Sequence, residues 1–412
     1  MHGHIYTPLR TTGSNELRLV TLLPSPTQDA QIECTLSVGS IENQSLHYEA
    51  LSYEWGDPDN PQYEILVDGK PFTVRRNLHQ ALRCLRTEFS SRTLWIDAIC
   101  INQEDVVERN HQVGMMGNIY NFASSVRVWL GEKGDHSREA ILLLHEIWES
   151  FEEVCRPGKE VGQKAKDLRN KLAGSYYTAP ATPSAAFDSF DVLPSSSLPI
   201  YRGESFEIPR NLLVQERRLA WWNRLAVPSE PLDQWEGVAA LVERTYWSRI
   251  WIVQEYLLAA GTVIQCGWDY IDGRRFDEAV SLVGELFERR KENHPEPLPA
   301  INHCLERVAK SPGIKIPRRR ISDREPTLLE LMETCRSSKS CDPHDRIYAI
   351  LGLAKDVPLH EIVVDYDRSI FKIKMDVAWW YSTRSMLKSQ PAYVSRVCSV
   401  LDEIFADCED ED

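Results

Sequence analysis

Apolar and polar positions alternate with a period of two in residues 16–23 (ELRLVTLL) and again in residues 31–38. Pro24 and Pro26 lie between them, so the chain is expected to open with two strands joined as a hairpin. Residues 48–53 form another strand pattern. It runs into Trp55-Gly56-Asp57-Pro58, a strong turn signal. Ile65-Leu66-Val67 and Phe72-Thr73-Val74 flank Asp68-Gly69, which predicts a second hairpin. Asn77 is placed to cap a helix carrying Leu78, Leu82, Leu85 and Phe89.

The pattern is densest in residues 93–131. Leu94-Trp95-Ile96 reads as a buried strand that delivers Asp97 at its C-terminal end, where open α/β sheets collect ligands. Asp105 and Glu108 have the spacing of a capping box, and Val113, Met116, Ile119 and Tyr120 follow on one helical face. Residues 125–130 alternate again, and Gly131 ends them. Strand, helix and strand in this order predict a βαβ unit of a parallel sheet.

Further along, the period becomes mostly helical. Helices are expected over 137–154, 232–244, 248–259 (with Gly261 as the stop) and 274–290. Others start at the Thr327/Glu330 capping box and run over 342–351, which Gly352 ends; a last one carries Trp379 and Trp380. Residues 262–266 and 361–366 read as strands. Residues 174–200 are rich in Ser, Pro and Ala without period, the centre of an insertion over about 156–215. No internal repeat is present.

At 412 residues the chain has room for two or three structural units, and its 42% hydrophobic content can bury a core. No apolar run approaches the roughly 18 residues of a membrane span, and the first residues lack the apolar stretch of a secretory signal. A soluble, cytoplasmic protein is expected. The formal net charge of −14 disfavours nucleic acid as a partner, and Pro317-Arg318-Arg319-Arg320 is expected to be a solvated loop. The acidic end, residues 407–412, reads as a disordered tail. The ten cysteines form no C-x-x-C pair. Cys335, Cys341 and His344 are the nearest approach to a metal set, and reduced thiols with no metal are expected. Phosphate-loop, dinucleotide, nucleophile-elbow and H-E-x-x-H motifs are absent.

Four blocks together resemble the fungal heterokaryon-incompatibility (HET) domain family. They are Ala50-Leu51-Ser52-Tyr53-Glu54-Trp55-Gly56-Asp57; residues 94–103 (LWIDAICINQ) with Glu108, Arg109, Gln112, Ile119 and Tyr120; residues 247–255 (WSRIWIVQE); and residues 342–353 (DPHDRIYAILGL). Glu54 stands where the family usually has an apolar residue, and His344 where an arginine is common.

The resemblance implies non-self recognition ending in cell death. It also implies a distant similarity to Toll/interleukin-receptor (TIR) domains, hence a flavodoxin-like parallel sheet flanked by helices, with the large insertion and a mostly helical C-terminal part. The division it suggests is 1–45 as an N-terminal hairpin region, 46–273 as the HET domain, and 274–412 as a helical region with the acidic tail. In enzymatic TIR domains a glutamate cleaves NAD, and the matching residue here is Glu255. Ser52, Tyr53, Trp55, Gly56, Asp57, Asp97, Arg249 and Trp251 become the candidate substrate-binding set. NAD is then the substrate, with no cofactor. Self-association on activation and an upstream sensor protein are the implied partners.

The residue chemistry is compatible with this. Trp251 and Glu255, four apart, share a helix face. An indole wall and a carboxylate suit a nucleoside, and an oxocarbenium ion needs nearby negative charge. Glu255 should then open into a cleft beside residues 53–57. Alternatives stand beside each role. Glu255 can instead be a buried acid paired with Arg249 or Arg244. Asp57 can hold the turn, Asp97 can cap the loop that follows it, and Asn102 and Arg109 can fix loop and helix. Asp342, Asp345 and Arg346 read as helix capping and an ion pair. A non-enzymatic, oligomerising signalling module is the rival reading.

Overall fold

The computed structural model describes residues 5–11, 14–43, 45–57, 59, 61–155, 232–293, 300–313, 326–358, 361–384 and 391–408. The expected insertion, the basic run at 317–320, Pro58 and the last four residues lie outside these. The chain forms two compact units: one gathers residues 1–132, 244–270 and 319–412, the other residues 133–243 and 271–318.

The first unit carries the expected hairpins: β1 (Glu16–Leu22) with β2 (Glu33–Ser40), and β4 (Gln62–Val67) with β5 (Lys70–Arg75). Between them in sequence is β3 (Glu49–Tyr53). The expected βαβ unit is β6 (Arg92–Trp95), a one-turn helix α1 (Asp97–Cys100), the long helix α2 (Val106–Phe122) and β7 (Ser125–Trp129). With β8 (Thr262–Cys266) and β9 (Asp269–Asp272), these make a nine-stranded sheet in the order β5-β4-β2-β1-β6-β3-β7-β8-β9.

The sheet is α/β in character but mixed, where a parallel one was expected. β3 runs parallel to β6 and β7, and β7 parallel to β8, but β1 joins β6 antiparallel. The N-terminal hairpin thus adds to the edge that a four-strand parallel block leaves open. Central β3 is buried along Ala50–Tyr53, as a strand covered on both faces must be. The C-terminal ends of β6, β3, β7 and β8 lie along one edge of the sheet, and the candidate site is there.

One buried ion pair ties the hairpin to the βαβ unit. Arg18 on β1 meets Glu108 on α2 through two hydrogen bonds, 2.6 and 2.8 Å, with side chains 2% and 4% exposed. Glu108 Oε1 also accepts from Asn102 N. The capping box is therefore only half made: Asp105 caps the Glu108 amide, but the Glu108 carboxylate turns to Arg18.

Three further expectations are corrected. The helix after β5 runs over Arg76–Leu85 without a side-chain cap; Asn77 instead donates to Glu54 O and accepts from Trp129 Nε1, and Phe89 lies beyond the helix, 84% exposed. Residues 248–259 are not one helix but a 3-10 turn, Thr245–Ser248, and a short helix, Ile252–Leu257, which ends before Gly261. The cause is tertiary: Arg249 pairs with Lys339 in a parallel bridge, Ile250 N donates to Lys339 O and Lys339 N to Ser248 O. Backbone committed there cannot continue a helix. Residues 361–366 pair with no strand; Asp365 N and O bond the Tyr348 hydroxyl instead.

The C-terminal part of this unit is helical: Leu328–Cys335 behind the full Thr327/Glu330 capping box, Asp345–Leu351, Ile370–Thr383, and a further helix, Pro391–Ile404, beyond the Trp379-Trp380 helix. These pack with Ile250 and Val253 into one apolar cluster. The second unit is helical: Ser137–Cys155, Leu232–Val242, Gly273–Asn293 and Ala300–Lys310, with Leu144, Trp235, Val238 and Phe276 buried.

Candidate functional site

Strand β3 delivers Ser52 and Tyr53, β6 delivers Asp97 one residue past Ile96, and the short helix Ile252–Leu257 delivers Glu255. These converge at the C-terminal edge of the parallel block. Ser52 Oγ donates to Glu255 Oε2 and shares a 2.6 Å hydrogen bond with the Tyr246 hydroxyl. Arg249 Nη1 donates to Tyr53 O at 2.5 Å and stands 3.9 Å from Glu255 Oε2. Trp55 Nε1 donates to Asp97 Oδ2 at 2.7 Å, the Tyr53 hydroxyl bonds the same carboxylate, and Asp97 Oδ1 accepts from Ala98 N.

Electrostatically this is one guanidinium between two carboxylic acids, Glu255 and Asp97. Burial pushes the Glu255 carboxyl up, Arg249 and Ser52 pull it part of the way back, and it comes to about 7. Burial also raises Asp97, against the Trp55 and Arg249 contacts that lower it. Arg249 is partly buried, its side chain 19% exposed; burial works against its charge, yet Glu255 and Asp97 hold its proton more firmly than usual. A single cation cannot neutralise both acids, so the cluster is poised to hold a proton near neutrality.

The other candidates sit apart from this centre. Gly56 takes a left-handed backbone (φ 78°), which glycine permits, and its carbonyl accepts from Arg75. Asp57 is exposed and accepts from Asp59 N, the turn-holding role. Asn102 and Gln103 also brace the loop after β6, through Glu104 N and Asp97 O. Trp251 faces the C-terminal helices. Its indole donates to Asp345, whose carboxylate also accepts from the Tyr366 hydroxyl at 2.6 Å and is pushed up by burial to about 6. Asp345 was legible as a helix-start acid, but not as Trp251's partner. Nothing in the sequence singled out Tyr246.

A cleft of about 240 Å³ opens alongside, with Tyr53, Trp55, Phe72, Arg75 and Gln103 among its walls. Glu255 does not line it and is 2% exposed. The expectation of an acid open to a cleft is therefore corrected: in this conformation Ser52 and Arg249 hold it beneath the Tyr53–Trp55 turn. Arg244, the alternative partner, bonds Leu130 O. Among the described residues no group of three or more His, Cys, Asp or Glu could hold a metal, and no helix is long and apolar enough to cross a membrane.

Residues 48–255, which span this site from β3 to Glu255, match the family model for heterokaryon incompatibility protein (HET). The chain belongs to the HET family. It is 25% identical over 392 residues to "Heterokaryon incompatibility protein 6, OR allele" of Neurospora crassa, covering 86% of this chain and 50% of that protein. The chain thus spans about half the length of this curated relative. No solved structure gives a significant match. The HET match ends at Glu255 itself, but the structure brings the block at 342–353, outside the match, against Trp251.

Proposed function

We propose that this HET chain is a cytoplasmic effector of heterokaryon incompatibility that promotes cell death by hydrolysing NAD. The observation that supports it best is the placement of Glu255 with Ser52 and Arg249, at the ligand-collecting edge of a parallel block and next to Asp97. A TIR-like relationship of that block belongs to the same proposal. Cleavage breaks the bond from ribose to the cationic nicotinamide. Nicotinamide leaves neutral with the electron pair, and water adds to the oxocarbenium carbon and gives up a proton, leaving ADP-ribose. No general acid is required; the ionised Glu255 carboxylate supplies the opposing charge. The turn 53–57 must lift for substrate to reach it, and self-association, triggered by an upstream sensor, is the proposed cause.

The second reading is a non-enzymatic module that oligomerises and recruits partners. The burial of Glu255 favours it: a carboxyl at 2% exposure can simply be a satisfied structural acid. Incubation with NAD over a range of protein concentrations, measuring released nicotinamide, separates the two. Wild type should release it and Glu255→Gln should not. Undiminished release by the variant overturns the site. No release by wild type at any concentration leaves the signalling module.

A further inference from the structure

The geometry points to the cleft beside Trp55 as a binding subsite for a neutral, planar heterocycle that carries a carboxamide or an equivalent donor–acceptor edge, a nicotinamide or adenine ring. This inference rests on the NAD reading above and deepens it.

Size comes first. Sites for drug-sized ligands run from about 300 Å³ upward. At about 240 Å³ the cleft suits a single ring system, with the rest of a larger ligand outside. Its walls come from Tyr6, the end of β3 with the turn after it, the start of β4, β5 with the helix that follows, and α1 with the loop after it. Four rings are among them, Tyr6, Tyr53, Trp55 and Phe72; Tyr53 and Phe72 are buried, so the half-buried Tyr6 and Trp55 are the side chains on which a planar heterocycle can stack. One cation, Arg75, and one anion, Glu104, also line it, so its fixed charges cancel and a neutral guest is favoured.

Polar groups at the wall narrow the guest further. Gln103 Nε2 donates to Asp97 O, which fixes the amide orientation and leaves Oε1 without a partner among the described residues. Asn102 Oδ1 accepts from Glu104 N, which likewise fixes its amide and leaves Nδ2 without one. Adjacent residues of the wall therefore offer one acceptor and one donor. A carboxamide, or the amino-pyrimidine edge of adenine, presents the complementary pair. Gln103 is moreover bonded to the backbone of Asp97, so a ring held here lies next to the acid cluster.

The test uses the full chain, and binding is read by saturation-transfer NMR without turnover. The probes are nicotinamide, adenine and, as a ring with no polar edge, toluene. Both heterocycles should bind, and toluene at least about tenfold more weakly. Which heterocycle binds more tightly tells which end of a dinucleotide the cleft takes. Thr73 is an exposed lining position on β5, so Thr73→Trp should fill the cleft and weaken both heterocycles at least about tenfold. Gln103→Leu, which keeps the rings and removes the acceptor, should do the same and serves if Thr73→Trp misfolds, as judged by circular dichroism. Failure of both heterocycles to bind, equal binding of toluene, or binding unchanged in a folded Thr73→Trp overturns the subsite. Heterocycle binding without any NAD cleavage would remove the hydrolase and leave the subsite. NAD cleavage undisturbed by Thr73→Trp would do the reverse.

Discussion

Arg18 and Glu108, ninety residues apart in sequence, form a two-bond ion pair with both side chains almost completely buried. The pair joins the N-terminal hairpin to the helix that follows Asp97. Removing one member leaves an uncompensated charge in the interior, at about 3–5 kcal/mol. Arg18→Met should lower the urea midpoint accordingly. Arg18→Met with Glu108→Leu should lose less than the two single changes summed. Additive losses would mean the two groups do not depend on each other.

Glu255 makes stability depend on pH. Its carboxyl is at about 7 when folded against 4.5 as a free side chain, so the folded chain holds the proton more tightly. Stability therefore falls as pH rises from about 4.5 through 7. Glu255→Gln carries no such group. It should match wild type near pH 4.5 and exceed it above pH 7, by on the order of 3 kcal/mol at 1.36 kcal/mol per unit. Parallel stability curves across that range would contradict the assignment. NAD cleavage, in the proposed reading, should rise over the same interval, because the ionised form is the useful one.

Arg249 restrains that shift. Its guanidinium favours the ionised forms of Glu255 and Asp97. Arg249→Met should move the pH-dependent slope upward, beyond 7, as well as destabilise the fold. Differential scanning calorimetry at several pH values checks this. An unmoved slope would show that burial alone sets the Glu255 carboxyl.

Gly352 ends the helix Asp345–Leu351 where space is short. A Cβ there would lie 3.0 Å from Gln254 Oε1 and 3.2 Å from its Cδ. The backbone (φ −64°) is an ordinary one, so the constraint is steric. Gly352→Ala should destabilise by about 1–3 kcal/mol. Gln254→Ala should recover part of this, and chemical denaturation of the three variants measures the coupling.

Much of this was legible from local pattern. The Asp68-Gly69 turn, the Thr327/Glu330 box and the alternating runs at 16–23 and 125–130 are set within a few residues, and they fold as read. What escaped depends on neighbours far along the chain. Residues 248–259 have helical period, yet Lys339 takes their backbone. Residues 361–366 have strand composition, yet no strand among the described residues pairs with them, and the Tyr348 hydroxyl bonds the Asp365 backbone instead. Asn77 looks like a cap but bridges the turn after β3 and the end of β7. The sequence expectation ends at the Trp379-Trp380 helix, whereas a further helix over Pro391–Ile404 buries Val397, Val400, Leu401 and Ile404 at helical spacing. At the site, the convergence of Ser52, Arg249, Glu255 and Asp97 was anticipated through resemblance rather than spacing. The enclosure of Glu255 was not, because burial is decided by the whole surrounding shell.

The Arg249–Lys339 bridge also sets how the chain could be inherited in pieces. The segment bearing Glu255 is stitched by main-chain hydrogen bonds to a stretch some ninety residues downstream. Those bonds tolerate side-chain drift on either flank, provided both backbones keep their path. Recombination with a breakpoint near residue 300 would still join two partners able to zip together. A stop at the same point would strip the seam bare and expose the greasy underside of Ile250 and Val253, yielding a protein prone to clump.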